Sequence, residues 1–585
     1  MFGVTKMCEW TRVTCAALVV LAACGDQGKT TEPVLVVDRV DVSRASAVLV
    51  IAGHVQLTAT PRASGGEAVS TATVTWSSDR PAATVSQDGI VTGVSAGSAS
   101  ITATASGKTA HTLVTILNGA AGDLAILPSR PTLALGQSIQ LSAVAFDASG
   151  LGGVASGVTW ASSDASVLQV SNGMITANAE GSATITATAS GKTGVAVPTV
   201  VVFSSIAPMG RSEPLEFVGP TLDPPDTLSQ TAICAVTTSR RLYCAGQGYG
   251  SMAIPVAADK TFKTVVSGGW SSCGFATKTD QLHHCSSLAS FCALTLDGVP
   301  YCWTLGDPEP VPTSERFASI SPTEADSGRP PSGCGLTSAG AAFCWGAGGG
   351  RLGNGGFAAS PVPVAVATSE TFAEIVTSIK ATCARTAPGK IYCWGRTLVS
   401  GQRDSTASPA ALPTALTFSK LMRGGCSVVD NKASVWCFVS TCAIATGTNT
   451  VYCWNPGGAP AALSTDLQLA SVAPVAGPGY SAGMCGLTTI GALACWGVSY
   501  WGADQFGVAS TSLPMCGLYP CYNNPTITLP NAHFTTLFGG AGNLCAIDAS
   551  ARALCWGPNA AGQLTNSTVK LGTPTPTLFS IDPTR

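Results

Sequence analysis

Apolar and polar residues alternate along this chain in short runs, such as Val55-Gln-Leu-Thr-Ala59 and Ile101-Thr-Ala-Thr104, separated by turns rich in Gly, Ser, Asn and Asp. A period of two sends successive side chains to opposite faces of a strand, so the pattern predicts many short, half-buried β-strands. In the C-terminal two-thirds one such unit recurs seven times, most legibly as Cys292-Ala-Leu-Thr-Leu-Asp-Gly-Val-Pro-Tyr-Cys302-Trp303, with further copies beginning at Cys234, Cys334, Cys383, Cys442, Cys485 and Cys545. Each copy predicts a β-hairpin: two alternating strands around a tight turn. A self-similar unit at this spacing marks a repeat architecture.

The cysteines sharpen that picture. Six copies space their pair ten residues apart (Cys234/Cys244, Cys292/Cys302, Cys334/Cys344, Cys383/Cys393, Cys485/Cys495, Cys545/Cys555) and Cys442/Cys453 is one longer, which sets the two sulfurs opposite each other across the ladder. One such staple closes a loop of about 11 residues, worth roughly 3 kcal/mol in the chain-entropy account. Three further local pairs, Cys273/Cys285, Cys426/Cys437 and Cys516/Cys521, complete an even set of 20 and point to an oxidising compartment. The five histidines, His54, His111, His283, His284 and His533, form no ligand spacing with them, so neither a metal nor another cofactor is expected.

At the N-terminus Lys6 and Arg12 precede the apolar run 16–23, too short for a permanent membrane span and suited to a secretory signal. The run ends Leu21-Ala22-Ala23-Cys24, which resembles the lipobox of bacterial lipoproteins. That resemblance implies cleavage after residue 23, acylation of Cys24 and a tether over 24–35; an ordinary secretory signal is the alternative, and Met7 is a second possible start. Two or three acyl chains would anchor the chain stably at a cell-envelope membrane, the outer membrane or the cell surface.

Between tether and hairpins lies a second repeat, offset by 84 residues: Thr75-Trp76-Ser-Ser-Asp79 returns as Thr159-Trp160-Ala-Ser-Ser163, Gly89 as Gly173, and Ser106-Gly-Lys-Thr109 as Ser190-Gly-Lys-Thr193. Short alternating strands with close turns suggest β-sandwiches, with type I′ turns at Asp88-Gly89 and Asn172-Gly173 and with Trp76 and Trp160 filling cores. The motif resembles the bacterial immunoglobulin-like group 2 domain over residues 36–118 and 121–203. These domains carry no acid pair, no nucleophile with a base and no calcium-type cluster, and read as a stalk with a short linker at 119–122.

Residues 204–585, with Phe262, Phe317, Phe372 and Phe418 upstream of the hairpins and Gly562-Gln563-Leu564 trailing the last, resemble the regulator of chromosome condensation repeat. The resemblance implies a seven-bladed β-propeller. The fold class expected for the whole chain is therefore all-β: two tandem Ig-like sandwiches, then a disulfide-stapled propeller. Blade one departs from the pattern, with Cys244-Ala-Gly lacking the tryptophan that follows the second cysteine elsewhere (Trp303, Trp345, Trp394, Trp454, Trp496, Trp556). Those tryptophans are expected between blades.

Candidate function sits where the repeat breaks. Insertions at 269–292, 425–442 and 498–525 each hold a cysteine pair and aromatic or imidazole groups: Trp270, His283 and His284; Trp436; Tyr500, Trp501, Tyr519 and Tyr522. All three leave the open end of their hairpin, so they should share one face, where braced loops with rigid aromatics suit recognition. With no phosphate loop or metal spacing, the expectation is a non-catalytic binding or adhesion protein for a protein or glycan. An inhibitor of a secreted or periplasmic enzyme is the alternative, because the repeat family includes a β-lactamase inhibitor. Guanine-nucleotide exchange, known from eukaryotic relatives, would rest on fold analogy alone. A net charge of −2 with no basic face excludes a nucleic-acid partner from the expectation.

Overall fold

The computed structural model describes residues 35–210, 231–268, 290–304, 306–323, 332–378, 381–399, 402–423, 427–428, 435–436, 441–454, 458–463, 466–476, 482–498, 506–508, 515–516, 519–540, 543–559, 564–565 and 572–583. Regular structure among them is almost wholly β, as the period-two pattern requires. The expected signal sequence, Cys24 and all but the last residue of the expected tether lie outside them. The chain forms two compact units, one running to Gly122 and taking in Phe146–Gly153, the other holding Asp123–Ala145 and Val154–Arg585.

In the first unit a four-stranded sheet and smaller two- and three-stranded sheets enclose one core built on Leu49, Leu57, Val91, Ile101, Val114 and Ile116. Trp76 is buried in it, and Trp160 packs half-buried against the equivalent core of the second sandwich, so both fill space rather than face a ligand. The turn expectation holds at one site only. Asn172 and Gly173 have φ of 48° and 79° in a two-residue loop, the type I′ signature. At the first-unit site Gly89 alone has positive φ, and Ser86 N donates to Ile90 O, a longer turn with glycine in the left-handed position. One extra residue between the paired strands removes the constraint that forces both central residues left-handed. The type I′ turns that recur in both domains are instead Ser106-Gly107 and Ser190-Gly191.

The second unit continues into seven antiparallel sheets, six of four strands and one of five, each built around one cysteine hairpin. Within each hairpin the cysteines are directly opposed, as in Cys334↔Cys344, Cys383↔Cys393 and Cys442↔Cys453. All seven pairs are disulfide-bonded, with Cα–Cα separations of 4.0–4.1 Å. Cys393 and Cys453 differ from the other hairpin cysteines: each forms its expected disulfide, yet each is half-buried where the rest are buried. The outer strand supplies the reason. Opposite these two stand alanines, Ala410 and Ala461, whereas the returning cysteines of the other blades face Ile254, Glu309, Val364, Thr526 and Thr577, whose larger side chains cover the sulfur. Cys273, Cys285, Cys426 and Cys437 lie outside the described residues; Cys516 and Cys521 sit on strands of which only the backbone is described.

Each tryptophan packs over the disulfide of the preceding blade. Trp303 shares a core with Cys234 and Cys244, Trp345 with Cys292 and Cys302, Trp394 with Cys334 and Cys344, and Trp454 with Cys383, while Cys393 packs at that core's edge. Trp496 continues the series over Cys442, with Cys453 at the edge, and Trp556 over Cys485 and Cys495. In blades three, four, five and seven a phenylalanine at or just before the inner strand packs close by, with the Phe372 and Trp394 ring centres 6.2 Å apart. Blade one, which lacks the tryptophan, meets Cys545 and Cys555 through Phe203, Tyr243 and Ala245, and the gap is filled by Phe579 and Ile581 from the C-terminal segment. The ring thus closes between blades seven and one. The second sandwich joins that seam: Ala134 and Val201 lie in the same core, and the Gln137 amide donates to Ile581 O (2.8 Å) while accepting from Ile581 N (3.0 Å).

Candidate binding face

In every blade the strands run from an inner one outward, each antiparallel to its neighbour. The connections from first to second strand and from third to fourth therefore leave one end, and the tight hairpin turns lie at the other. The turn end is regular. Phe317 N donates to Gly298 O, Phe372 N to Gly340 O, Phe418 N to Gly389 O and Phe534 N to Gly491 O, each at 2.8–3.0 Å, latching one blade to the next.

The open end carries the variation. Trp270, His283, His284, Tyr500 and Trp501 lie outside the described residues. Trp436 falls on the short strand Val435–Trp436, paired with Ser427–Val428, so the blade-five insertion has a small hairpin of its own. Tyr519 and Tyr522 belong to Tyr519–Leu529, the fourth strand of blade six, with the short strand Met515–Cys516 paired on its outer side. Tyr522 is half-buried, its ring stacked at 6.5 Å on the buried Phe506, so much of it is committed to packing. The sequence placed it in a loop; strand pairing with Gly497 puts it in the sheet.

Three features of this end were not picked out from sequence. The third and fourth strands of blade four, Ile391–Val399 and Gln402–Ala411, run on past their neighbours as a hairpin ending in the pair Val399↔Gln402. The only signal in the sequence is the turn-type dipeptide Ser400-Gly401 after Thr397-Leu-Val399, since apolar and polar residues do not alternate there. In blade three a glycine loop, with Gly349 and Gly350 at φ of 77° and 82°, presents Phe357 at 57% exposure, an unusual position for a phenylalanine. First-to-second-strand connections at 211–230 and 324–331 also leave from here.

The third feature is Arg423, the last residue of the blade-five inner strand Phe418–Arg423. Its guanidinium crosses the propeller axis, donating to Ser267 O of blade two (3.0 Å) and to Pro322 O of blade three (2.6 Å), with Thr377 Oγ1 of blade four at 3.5 Å. All three acceptors lie on the final residue of an inner strand, so four inner-strand ends converge on one cation. Desolvation draws its pKa down to about 10. No described carboxylate reaches it. The inner strands crowd here: a Cβ on Gly268 would stand 2.3 Å from Thr323 O, and one on Gly540 would stand 2.1 Å from Pro208 O.

At the turn end an open groove of about 530 Å³ lies between Leu529, His533, Arg552 and Pro576. Its carboxylate, Asp548, is consumed by the Arg552 guanidinium (2.8 Å) and by the N–H groups of its own turn. Among the described residues no group of three or more His, Cys, Asp or Glu could hold a metal ion.

Comparison with known proteins bears on the N-terminal domains. Residues 36–115 and 123–200 match the bacterial Ig-like domain (group 2). The two sandwiches are group 2 Ig-like domains. Ice-binding protein 1 of Shewanella frigidimarina is 34% identical over 151 residues, a quarter of this chain and 17% of that protein. The chain thus spans under a fifth of the curated relative it matches. Looser likenesses are to human WBSCR16 (13% identity, 56% of this chain and 84% of that one, TM-score 0.39) and the ectodomain of the Arabidopsis thaliana receptor kinase ACR4 (17%, 61% and 96%, 0.33). At those scores they bear on neither site nor partner.

Proposed function

We propose that this protein is a non-catalytic binding module that recognises a protein or glycan outside the cytoplasm through the open end of its propeller. The observation that carries this reading is an asymmetry. Connections 211–230, 269–289, 424–440 and 499–518 and the extended hairpin of blade four all leave the same end, while the opposite end repeats one turn with little change. Variation confined to one end of a stapled scaffold is how recognition loops are carried. The second sandwich shares a core with blades one and seven, a firm mount for such a face. Lipid attachment at Cys24 would hold the assembly at the envelope, with the Ig-like domains as stalk.

The test is a crosslinking pull-down from envelope and secreted fractions with residues 25–585, beside a variant whose 269–289, 427–440, 499–505 and 509–514 segments are replaced by short Gly-Ser runs that leave the buried Phe506 in place. Material retained by the first and lost by the second supports the reading. Equal capture, or none, overturns it. Capture of a hydrolase that is inhibited on binding would favour the inhibitor alternative.

A further inference from the structure

We propose that the propeller axis at the open end is a carboxylate-binding site built around Arg423, and that its occupant is an aspartate or glutamate side chain of a protein partner. This deepens the reading above and rests on the open end being the binding face.

Withdrawing a cation from water is expensive unless a counter-charge meets it, and side chains at that cost concentrate at functional sites. Arg423 has five N–H donors in a planar fork, of which two make strong bonds to carbonyls and a third hydrogen bond is long. Nε donates to no described acceptor. The carbonyls fix the guanidinium in the plane of four inner-strand ends without neutralising it. What remains is a pre-oriented cation with donors that no described residue occupies, retaining partial exposure at the end of the propeller that carries the insertions. Preorganised donors on a desolvated arginine favour a carboxylate, which matches the fork and brings a negative charge that no described residue supplies there. A sugar acid would bring that charge too, but its ring would want an aromatic platform, and none of the described groups that Arg423 bonds is aromatic. Glu324 follows Thr323 by one position in the sequence and is the internal alternative.

Residues 25–585 are titrated by calorimetry with N-acetylglutamate amide, with N-acetylglutamine amide as neutral control and glucuronate as the sugar arm, in wild type, Arg423→Met, Arg423→Lys and Glu324→Gln. The expected result is saturable binding of the glutamate probe, at least tenfold weaker for the neutral control and for R423M, and intermediate for R423K, which keeps the charge but not the fork. If R423M does not fold, the control pair on wild type and R423K decide. Absence of binding to wild type, equal binding by R423M, tighter binding of glucuronate, or binding seen only in E324Q would each overturn the proposal, the last by making the occupant this chain's own loop. In the pull-down, capture lost on loop trimming but kept by R423M would leave the binding face standing and remove the axial site. Capture kept on trimming but lost in R423M would do the reverse.

Discussion

Six seams of this propeller are alike and the seventh is not. At the six, a tryptophan carried on the returning strand of one hairpin covers the disulfide of the blade before it, and four of those tryptophans pack with a phenylalanine latched by its N–H to the preceding turn glycine. At the closing seam the tryptophan position is Ala245, and the covering aromatic is Phe579, brought from the far end of the chain. Ile581 bridges Ala253 in parallel and Asp582 N donates to Ala253 O, so the last residues form an added edge of blade one. Repeat interfaces are local in sequence and form as each blade folds; a closing interface must join the two ends of the array. The exchange of a local tryptophan for a distant phenylalanine makes closure depend on the completed chain.

Deleting residues 579–585 should therefore be the most damaging small change. It removes two fully buried side chains, Phe579 and Ile581, and the sum of large-to-small costs for such residues is more than about 5 kcal/mol. Thermal unfolding of residues 25–585 with and without the segment measures it, and Phe579→Ala alone should account for about 3–5 kcal/mol of that loss. A truncated chain that melts with the full one would show that the Ig-like domain, not the tail, closes the ring.

Trp394→Ala, at a regular seam, should cost about 3–5 kcal/mol, since Trp394 is fully buried between Cys334, Cys344 and Phe372. The converse change breaks the comparison differently. Ala245→Trp restores the repeat consensus in blade one but meets a space already filled by Phe579, and overpacking of this kind costs about 1–3 kcal/mol. If A245W were stabilising, the closing seam would be a loose version of the others rather than a distinct solution.

The hairpins, their staples and the inter-blade tryptophans were legible because each depends on residues within about a dozen positions, and the spacing of Cys334, Cys344 and Trp345 fixes which face each side chain takes. How far a staple is covered was not legible, because the exposure of Cys393 and Cys453 is set by Ala410 and Ala461 on a strand whose register the hairpin motif does not contain. The departure at Ala245 was visible too, but its remedy was not. Nothing near Ala245 points to Phe579, more than 300 positions away, and Gln137 looks like any polar turn residue until Ile581 is paired with it. Arg423 was missed for the same reason: its acceptors lie 46 to 156 positions away and are mostly backbone carbonyls, which no pattern of side chains announces. That the long connections leave one end was legible from their lengths and places in the repeat, whereas Tyr522 shows that residues within an insertion can return to the sheet.

Gln137 tests how far the second sandwich contributes to closure. Its amide meets Ile581 on both backbone groups and its Oε1 also accepts from Ala134 N, all within the buried seam. Gln137→Ala would leave those buried groups unmet, at about 1–3 kcal/mol. Combined with Phe579→Ala in a double-mutant cycle, the effects should fall short of additive, because both act on one short segment. Full additivity would mean the sandwich docks independently of the tail.

The smallest expected effects separate the seams by a single Cβ. Gly340 has φ of 81°, and a Cβ there would stand 2.8 Å from Phe372 O of the next blade, so Gly340→Ala meets both backbone strain and the latch. Strain alone costs roughly 1–2 kcal/mol at a left-handed position, and the contact must add to it. The equivalent turn of blade seven already holds an alanine, Ala551, at φ of 62°. There the side chain packs against the core of the second sandwich, which offsets part of the strain. Ala551→Gly relieves that strain, loses the contact and loosens the unfolded chain, and should change stability by less than about 1 kcal/mol. Chemical denaturation of the two variants side by side gives the difference. Equal costs in both would mean that the turn of blade seven is latched like the rest and that the closing seam differs only in its aromatic.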